Sequence, residues 1–348
     1  MQKRLYNVAV IGATGNAGHN TLKILAERKF PVDKICAIAS DRSVGKKVSF
    51  NDHDVVVEKF DTVDFSDIDI AILCAGSSFS KSHAKYLTDN GVTIIDKTAA
   101  FRLEPKVPLV VPEINAEVLE KGAPLGIIST PNCVAVPLAM ALKALNKIAP
   151  VERVVASTYQ SVSGAGKKAI DELYNQTKST IATTEITSEV FSKQIAFNVI
   201  PAIGNIYANG VSDEEDKIAS ELRKILMANI GVAVTCVRVP VFIGHGISVA
   251  CEFSKEISVS DATSAFESFP GMLVIDRRKE EIFATPLDIQ GEDAVFVSRI
   301  RKDSSVKNGL LFWVVSDNLR KGAALNSVQI AENMIRIDPT LKIFKKKK

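Results

Sequence analysis

Cys133 ends the run Ser129-Thr130-Pro131-Asn132-Cys133 and opens an alanine-rich stretch, Val134 to Leu145, that reads as a helix. Pro137 is tolerable there because it falls in the first turn. A helix N-terminus carries partial positive charge and free N–H groups, which favour thiolate over thiol. The other cysteines, Cys36, Cys74, Cys236 and Cys251, lie in apolar strand-like runs, where a thiol acts as a small hydrophobe. A thiolate beside a dinucleotide site would suit hydride transfer through a covalent thioester, although this segment alone fits a capped structural cysteine equally well. A cysteine nucleophile needs a base, and His245, after a glycine turn, titrates in the right range. His19, His53 and His83 fall in helix or loop positions and receive no role. Gln160 leaves a strand toward a glycine-rich turn, where an amide holds a substrate without titrating. Arg238 sits within a strand, and Arg102 just beyond a strand's end, where ligands bind in doubly wound sheets. Glu214 and Lys217, three apart on one helical face, are most simply a surface ion pair.

Elements that would position these side chains can be read from periodicity. Asn7 to Ile11 is a short apolar run of the kind that makes a buried parallel strand. It leads into Gly12-Ala13-Thr14-Gly15-Asn16-Ala17-Gly18 and then a helical pattern through Glu27. The glycine spacing differs from the common dinucleotide fingerprint, but the strand before and helix after it suit a pyrophosphate held on backbone N–H groups. Further strands are expected at Lys34–Ser40, Ile70–Cys74 and Val92–Asp96, giving a Rossmann-like doubly wound parallel sheet. The second strand runs into Ser40-Asp41-Arg42-Ser43-Val44-Gly45-Lys46. Arg42, Lys46, Ser40 and Ser43 suit a 2′-phosphate and point to NADP over NAD; Asp41 either holds a ribose hydroxyl or turns away to pair with a lysine.

Beyond the Cys133 helix the texture changes. Val151–Tyr159, Ala233–Val241, Ile247–Phe253 and Ala294–Ile300 read as strands, Ala169–Lys178 and Ser212–Met227 as helices, and Thr180–Glu189 as a polar stretch. That pattern predicts an α+β second domain with a mixed or antiparallel sheet. The expected organisation is a nucleotide-binding domain over residues 1–131, completed by a C-terminal segment, 319–348, with a helix at Asn326–Ile337. A catalytic domain would span 132–318.

Composition bounds the function classes. Hydrophobic residues make up 46% and charged residues 24% of the 348, as in a soluble globular protein. The net charge of +3 includes four tail lysines, Lys345–Lys348, read as a solvated end; without them the body carries −1, which argues against a nucleic-acid partner. No apolar stretch reaches membrane-span length, and Met1-Gln2-Lys3-Arg4 leaves no room for a leader, so a cytoplasmic protein is expected. Five cysteines without a C-x-x-C pair and four scattered histidines predict reduced thiols and no metal site.

Taken in order, seven segments resemble the aspartate-β-semialdehyde dehydrogenase family nearly end to end. They are Gly12-Ala13-Thr14-Gly15, Ser40 to Lys46, Ala100-Phe101-Arg102, Pro131-Asn132-Cys133, Tyr159 to Gly166, Arg238-Val239-Pro240-Val241 with Gly244-His245, and Asp317 to Ala324. The resemblance implies Cys133 as the nucleophile, His245 as acid/base and Gln160 as the group that orients substrate and acyl intermediate. It implies that Arg238 and Glu214 hold the α-carboxylate and α-amino group of an aspartyl substrate, and that Arg102 and Lys217, with Asn132, bind inorganic phosphate. Ser163, Gly164 and Asn318 would join the glycine turn in holding NADP. The implied reaction interconverts aspartyl-4-phosphate and aspartate 4-semialdehyde, in biosynthesis of lysine and diaminopimelate, threonine and methionine, by a homodimer or dimer of dimers. Val134 follows Cys133 and Gly246 follows His245 where family members often carry small polar residues, and Asp96-Lys97-Thr98-Ala99 replaces a loop commonly richer in Asn and Ser. The alternatives are an acyl-phosphate reductase of the N-acetyl-glutamyl-phosphate type, which would not need the Glu214 counter-charge, and a non-catalytic dinucleotide-binding scaffold. A cysteine protease would leave the glycine turn and the Arg42 loop unexplained.

Overall fold

The strand Tyr6–Ile11 (β1) is apolar on both sides because both sides are covered. Tyr6, Val8 and Val10 enter one buried cluster, and Ala9 and Ile11 another. In the computed structural model, which describes residues 4–346, the chain divides into two compact units, Met1–Pro131 with Ala323–Lys348, and Asn132–Gly322. Met1–Lys3, and the tail residues Lys347 and Lys348, lie outside the described residues. Within the described part of the tail, Lys346 pairs with Asp89, so it is tied down rather than simply solvated.

In the first unit, β1 is followed by α1 (Asn16–Glu27), β2 (Val32–Ala39), the hairpin strands β3 (Lys47–Phe50) and β4 (His53–Lys59), and β5 (Ile70–Leu73). Then come α2 (Ser77–Asp89), β6 (Thr93–Asp96), the short α3 (Pro112–Asn115) and β7 (Ile127–Ser129). The seven strands lie in the order β3-β4-β2-β1-β5-β6-β7, parallel except for β3 on β4. The chain leaves β1 in one direction for β2 and returns on its other side as β5, so the crevice at their carboxyl ends is a topological switch point. Leu22 and Leu25 of α1 and Leu325, Val328 and Met334 of the C-terminal helix (Leu325–Ile337) bury one face; Ala84 and Leu87 of α2 bury the other. Sequence periodicity missed the β3/β4 hairpin, and His53 opens a strand rather than a helix or loop.

The second unit begins with α4 (Ala135–Asn146), β8 (Val151–Gln160), α5 (Lys167–Ile181), α6 (Asp213–Leu226), β9 (Gly231–Arg238) and β10 (His245–Phe253). It continues with α7 (Val259–Glu267), β11 (Met272–Val274), the small pair β12 (Asp276–Arg277) and β13 (Ile282–Phe283), β14 (Val295–Asp303) and β15 (Gly309–Ser316). Its six-stranded mixed sheet has the order β11-β14-β15-β10-β8-β9. Helices α4, α6 and α7 pack together on one face, reaching β8, β9, β14 and β15. On the other face Tyr159, Ser248 and Trp313 stand partly open. Ser212 caps α6 in a reciprocal capping box with Glu215, and Met227 ends it in the left-handed region. Nothing in the sequence reading singled out β15, the strand that joins β10 to β14.

Candidate active site

Three of the side chains expected to do chemistry lie in one row. Arg238 ends β9, Gln160 ends β8 and His245 begins β10, and pairing sets Arg238 opposite Gln160 and Gln160 opposite His245. Residues directly opposite one another project to the same side of a sheet, so the row presents all three to the helical face. All three are buried.

Asn132 and Cys133 approach that face at the start of α4. The Asn132 carboxamide oxygen accepts from the N–H groups of Val134 (2.8 Å) and Ala135 (3.4 Å), which makes Asn132 the working cap and puts Cys133 in the first turn. Val134 is wholly buried, so the residue after Cys133 is a packing position here. Gly322 lies against the cysteine from behind: a Cβ there would stand 3.0 Å from that of Cys133. Burial pushes the Cys36 thiol up to about 12, and burial likewise raises Cys236 and Cys251, so these three stay protonated and inert.

Glu214 does not pair with Lys217, which faces Asp213 at 3.4 Å. Its carboxylate accepts instead from Asn132 Nδ2 at 2.8 Å and Gln160 Nε2 at 3.3 Å. The Thr158 hydroxyl donates to Gln160 Oε1 at 3.0 Å, which fixes the amide's orientation. Glu215 spans the capping box and the Cys236 N–H (2.9 Å), locking the first turn of α6 to β9 so that Glu214 is held beside the row. Glu221, two turns further along α6, accepts the Asn132 backbone N–H at 2.6 Å. The sequence reading missed Glu221, although its seven-residue spacing from Glu214 on one helical face was the available signal.

His245 is fully enclosed. The Ser161 backbone N–H donates to its Nδ1 at 3.0 Å, so the neutral ring carries its proton on Nε2. Nε2 has no hydrogen-bond partner among the described residues. Burial, then the Arg238 charge, pushes the imidazole down to about 3. Burial also lowers Arg238, while Cys133 and Glu214 act in the opposite direction, which ties the three groups electrostatically. Arg238 donates to the Ser161 carbonyl at 2.7 Å. Gly164 leaves the gap between these groups open: a Cβ would stand 3.2 Å from Arg238 Nη1 and 3.3 Å from His245 Nε2. Ser163 and Asn318 are buried together, Asn318 Nδ2 donating to Ser163 Oγ (2.9 Å) while its Oδ1 accepts from the Gly244 N–H (2.9 Å). Both thus brace the turn that presents His245. Gly246 has no room for a side chain, since a Cβ would stand 2.2 Å from the Trp313 ring.

The first unit holds the remaining candidates. Gly12, Ala13 and Thr14 form the turn after β1, with Gly15, Asn16 and Ala17 at the start of α1. Gly12 takes φ +91°, and a Cβ on Gly18 would meet the Gly12 carbonyl oxygen at 2.1 Å, so helix and turn pack as only glycine permits. Thr14 and Ser43 hydroxyls stand 3.4 Å apart, joining this turn to the Ser40–Lys46 segment. Beside them is a cavity of about 520 Å³ whose walls include Gly12, Ser40, Arg42, Phe60, Phe79 and His83. An apolar, aromatic-walled cavity at the switch point beside a glycine turn fits a dinucleotide. Arg102 is oriented by two carbonyls, Nε donating to Thr130 (3.0 Å) and Nη2 to Lys97 (2.8 Å). Asp96 is buried, and its carboxylate accepts from Thr98 and Ser80. Desolvation raises its pKa. Among the described residues no cluster of ligands suits a metal ion, and no helix is long and apolar enough to cross a membrane.

Comparison with known proteins agrees with both units. The family model "Semialdehyde dehydrogenase, NAD binding domain" matches residues 7–122, and "Semialdehyde dehydrogenase, dimerisation domain" matches residues 142–321. Aspartate-semialdehyde dehydrogenase of Rickettsia bellii is 50% identical over 331 residues, covering 95% of this chain and 98% of the relative. That of Bacillus subtilis is 40% identical over 341 residues, with the same coverage. The crystal structure of aspartate semialdehyde dehydrogenase II from Vibrio cholerae superposes with a TM-score of 0.93 at 41% identity, over 96% of this chain and 99% of that one. The chain belongs to the aspartate-semialdehyde dehydrogenase family.

Proposed function

We propose that this chain catalyses the NADP-dependent, reversible conversion of aspartyl-4-phosphate to aspartate 4-semialdehyde and phosphate, through a thioester on Cys133. The observation that carries the reading is the row Arg238–Gln160–His245 together with Cys133 in the first turn of α4 and Glu214 against Asn132 and Gln160. In the biosynthetic direction the Cys133 thiolate attacks the acyl phosphate, a carbon–sulfur bond forms, and phosphate leaves with the bonding pair. NADPH, when bound, supplies hydride to the thioester carbonyl. The neutral His245 ring donates a hydrogen bond from its Nε2–H to the resulting oxyanion. As the carbonyl re-forms, the carbon–sulfur bond breaks with its electron pair going to sulfur, releasing aldehyde and thiolate. Gln160, oriented by Thr158, holds the acyl group. Arg238 receives the α-carboxylate and Glu214 the α-ammonium, as guanidinium and carboxylate chemistry favours. Arg102, Lys217 and Asn132 are assigned to phosphate.

The first unit would hold NADP: Gly12 to Ala17 at the pyrophosphate, and Ser40, Arg42, Ser43 and Lys46 at the 2′-phosphate. Ser163, Gly164 and Asn318 are assigned to the nicotinamide side as well as to bracing His245. The second unit would be catalytic and dimer-forming. The partly open sheet face around Tyr159 and Trp313, opposite the face that carries α4, α6 and α7, supports a second copy of this chain as its occupant. The reading implies a cytoplasmic enzyme.

The test is NADP reduction by the purified protein with aspartate semialdehyde, with and without phosphate. Phosphate-dependent turnover is expected, with Cys133→Ala inactive yet still binding NADP. Substantial activity in Cys133→Ala, or none in the wild type, overturns the proposal. Turnover with N-acetyl-glutamate semialdehyde instead would move the assignment to that substrate class.

A further inference from the structure

Asp41 follows the second strand, where a carboxylate ordinarily grips a ribose 2′-hydroxyl. In this chain it faces a cation. Lys59 Nζ lies 3.4 Å from Asp41 Oδ1 and 3.6 Å from Asp61 Oδ2. The meeting follows from register: β2 and β4 run parallel with Ala39 opposite Lys59, so the last residue of β4 stands beside the Asp41–Ser43 turn. Lys59, Asp41 and Arg42 all line the mouth of the cavity beside Gly12. The Asp41 carboxylate, and then Asp61, raise the Lys59 pKa.

We propose that Lys59 is a cofactor-specificity residue, which occupies the Asp41 carboxylate and adds its own charge so that a 2′-phosphate can settle against Arg42. The inference rests on the NADP reading above. A carboxylate released from Lys59 would repel a phosphate dianion and accept a hydrogen bond from a 2′-hydroxyl. Loss of Lys59 therefore weakens NADP without weakening NAD. A residue that merely lined the cavity would affect both alike.

The experiment is calorimetric titration of NADP and NAD into the wild type, Lys59→Gln, Asp41→Asn and the double variant. Both side chains are exposed, 43% for Lys59 and 75% for Asp41, so folding is not at stake. Lys59→Gln should weaken NADP roughly three- to tenfold, the scale of one exposed charge contact to a dianion, and leave NAD unchanged or tighter. Asp41→Asn in the Lys59→Gln background should recover most of the loss. Equal weakening of both cofactors, an unchanged ratio, or a double variant no better than Lys59→Gln overturns the inference. Equal binding of NADP and NAD by the wild type would instead overturn the 2′-phosphate reading beneath it.

Discussion

His245 should make the fold sensitive to acid in a way that disappears when the ring is removed. Its Nδ1 accepts from an N–H that cannot turn away, so a proton on Nδ1 would place two donors face to face. Burial first, and the Arg238 guanidinium second, hold the ring near a pKa of about 3. In the unfolded chain an imidazole returns to about 6.5 and binds a proton more readily than in the native state. The stability carried by the neutral ring is therefore complete above about pH 6.5 and is lost progressively as pH falls toward 3. At about 1.4 kcal/mol per pH unit, the 1.5 units between 6.5 and 5 amount to about 2 kcal/mol, as an order of magnitude. Urea unfolding of wild type and His245→Gln at about pH 8 and pH 5 reads this directly. The wild type should lose about 2 kcal/mol more than the variant between the two pH values. Equal losses would refute the reasoning and mean that the native ring protonates as freely as the unfolded one.

Two further substitutions probe the supports of the site. Gly246→Ser should cost about 1–3 kcal/mol, because its Cβ would overlap the Trp313 ring, whose indole N–H is pinned to the Ala284 carbonyl. Trp313→Leu should recover part of that loss in the double variant, and additive destabilisation in denaturant melts would count against the clash. Glu221→Gln replaces a charged acceptor of the Asn132 N–H by a neutral one. It should lower stability by about 1 kcal/mol and slow acylation of Cys133 while leaving NADP affinity unchanged, as single-turnover and binding measurements would reveal.

How much of this could be read from the sequence depends on range. The glycine turn and its flanking strand and helix are local, and β1, β2, β5 and β6 emerged from apolar runs of four to eight residues. The β3/β4 hairpin was lost because its strands are half-exposed rather than continuously apolar, and its turn, Asn51-Asp52, uses left-handed backbone without a glycine. Cys133, Gln160, Arg238 and His245 were recognisable by type and motif, but their juxtaposition was not. It depends on β8 pairing with both β9 and β10 in a register that no local pattern encodes. Lys59 is the clearest loss. Nineteen residues from Ser40 in sequence, it reaches the Ser40–Lys46 segment only because β4 lies beside β2. The pairing of Asp41 with a lysine was one of two options left open by the sequence, and the structure selects it.

On the proposed reading, the carboxylate that receives the substrate also aligns the groups around the nucleophile. In the free protein Glu214 is met by two neutral amides, Asn132 at 2.8 Å and Gln160 at 3.3 Å. Asn132 is at once the cap of the helix that carries Cys133 and the donor held through its backbone by Glu221. Gln160 is the middle member of the row between Arg238 and His245. An incoming ammonium group gives Glu214 a full ion pair on top of the hydrogen bond, whereas Asn132 and Gln160 offer the carboxylate hydrogen bonds from neutral donors alone. The added ionic attraction is on the order of 1 kcal/mol or more in a partly buried site. That difference corresponds to several-fold to tenfold preference for a free α-amino group over an acetylated one. Because Glu214 touches both amides, that preference is coupled to how Cys133 and the acyl group are held. A substrate lacking the ammonium should therefore lose turnover as well as affinity.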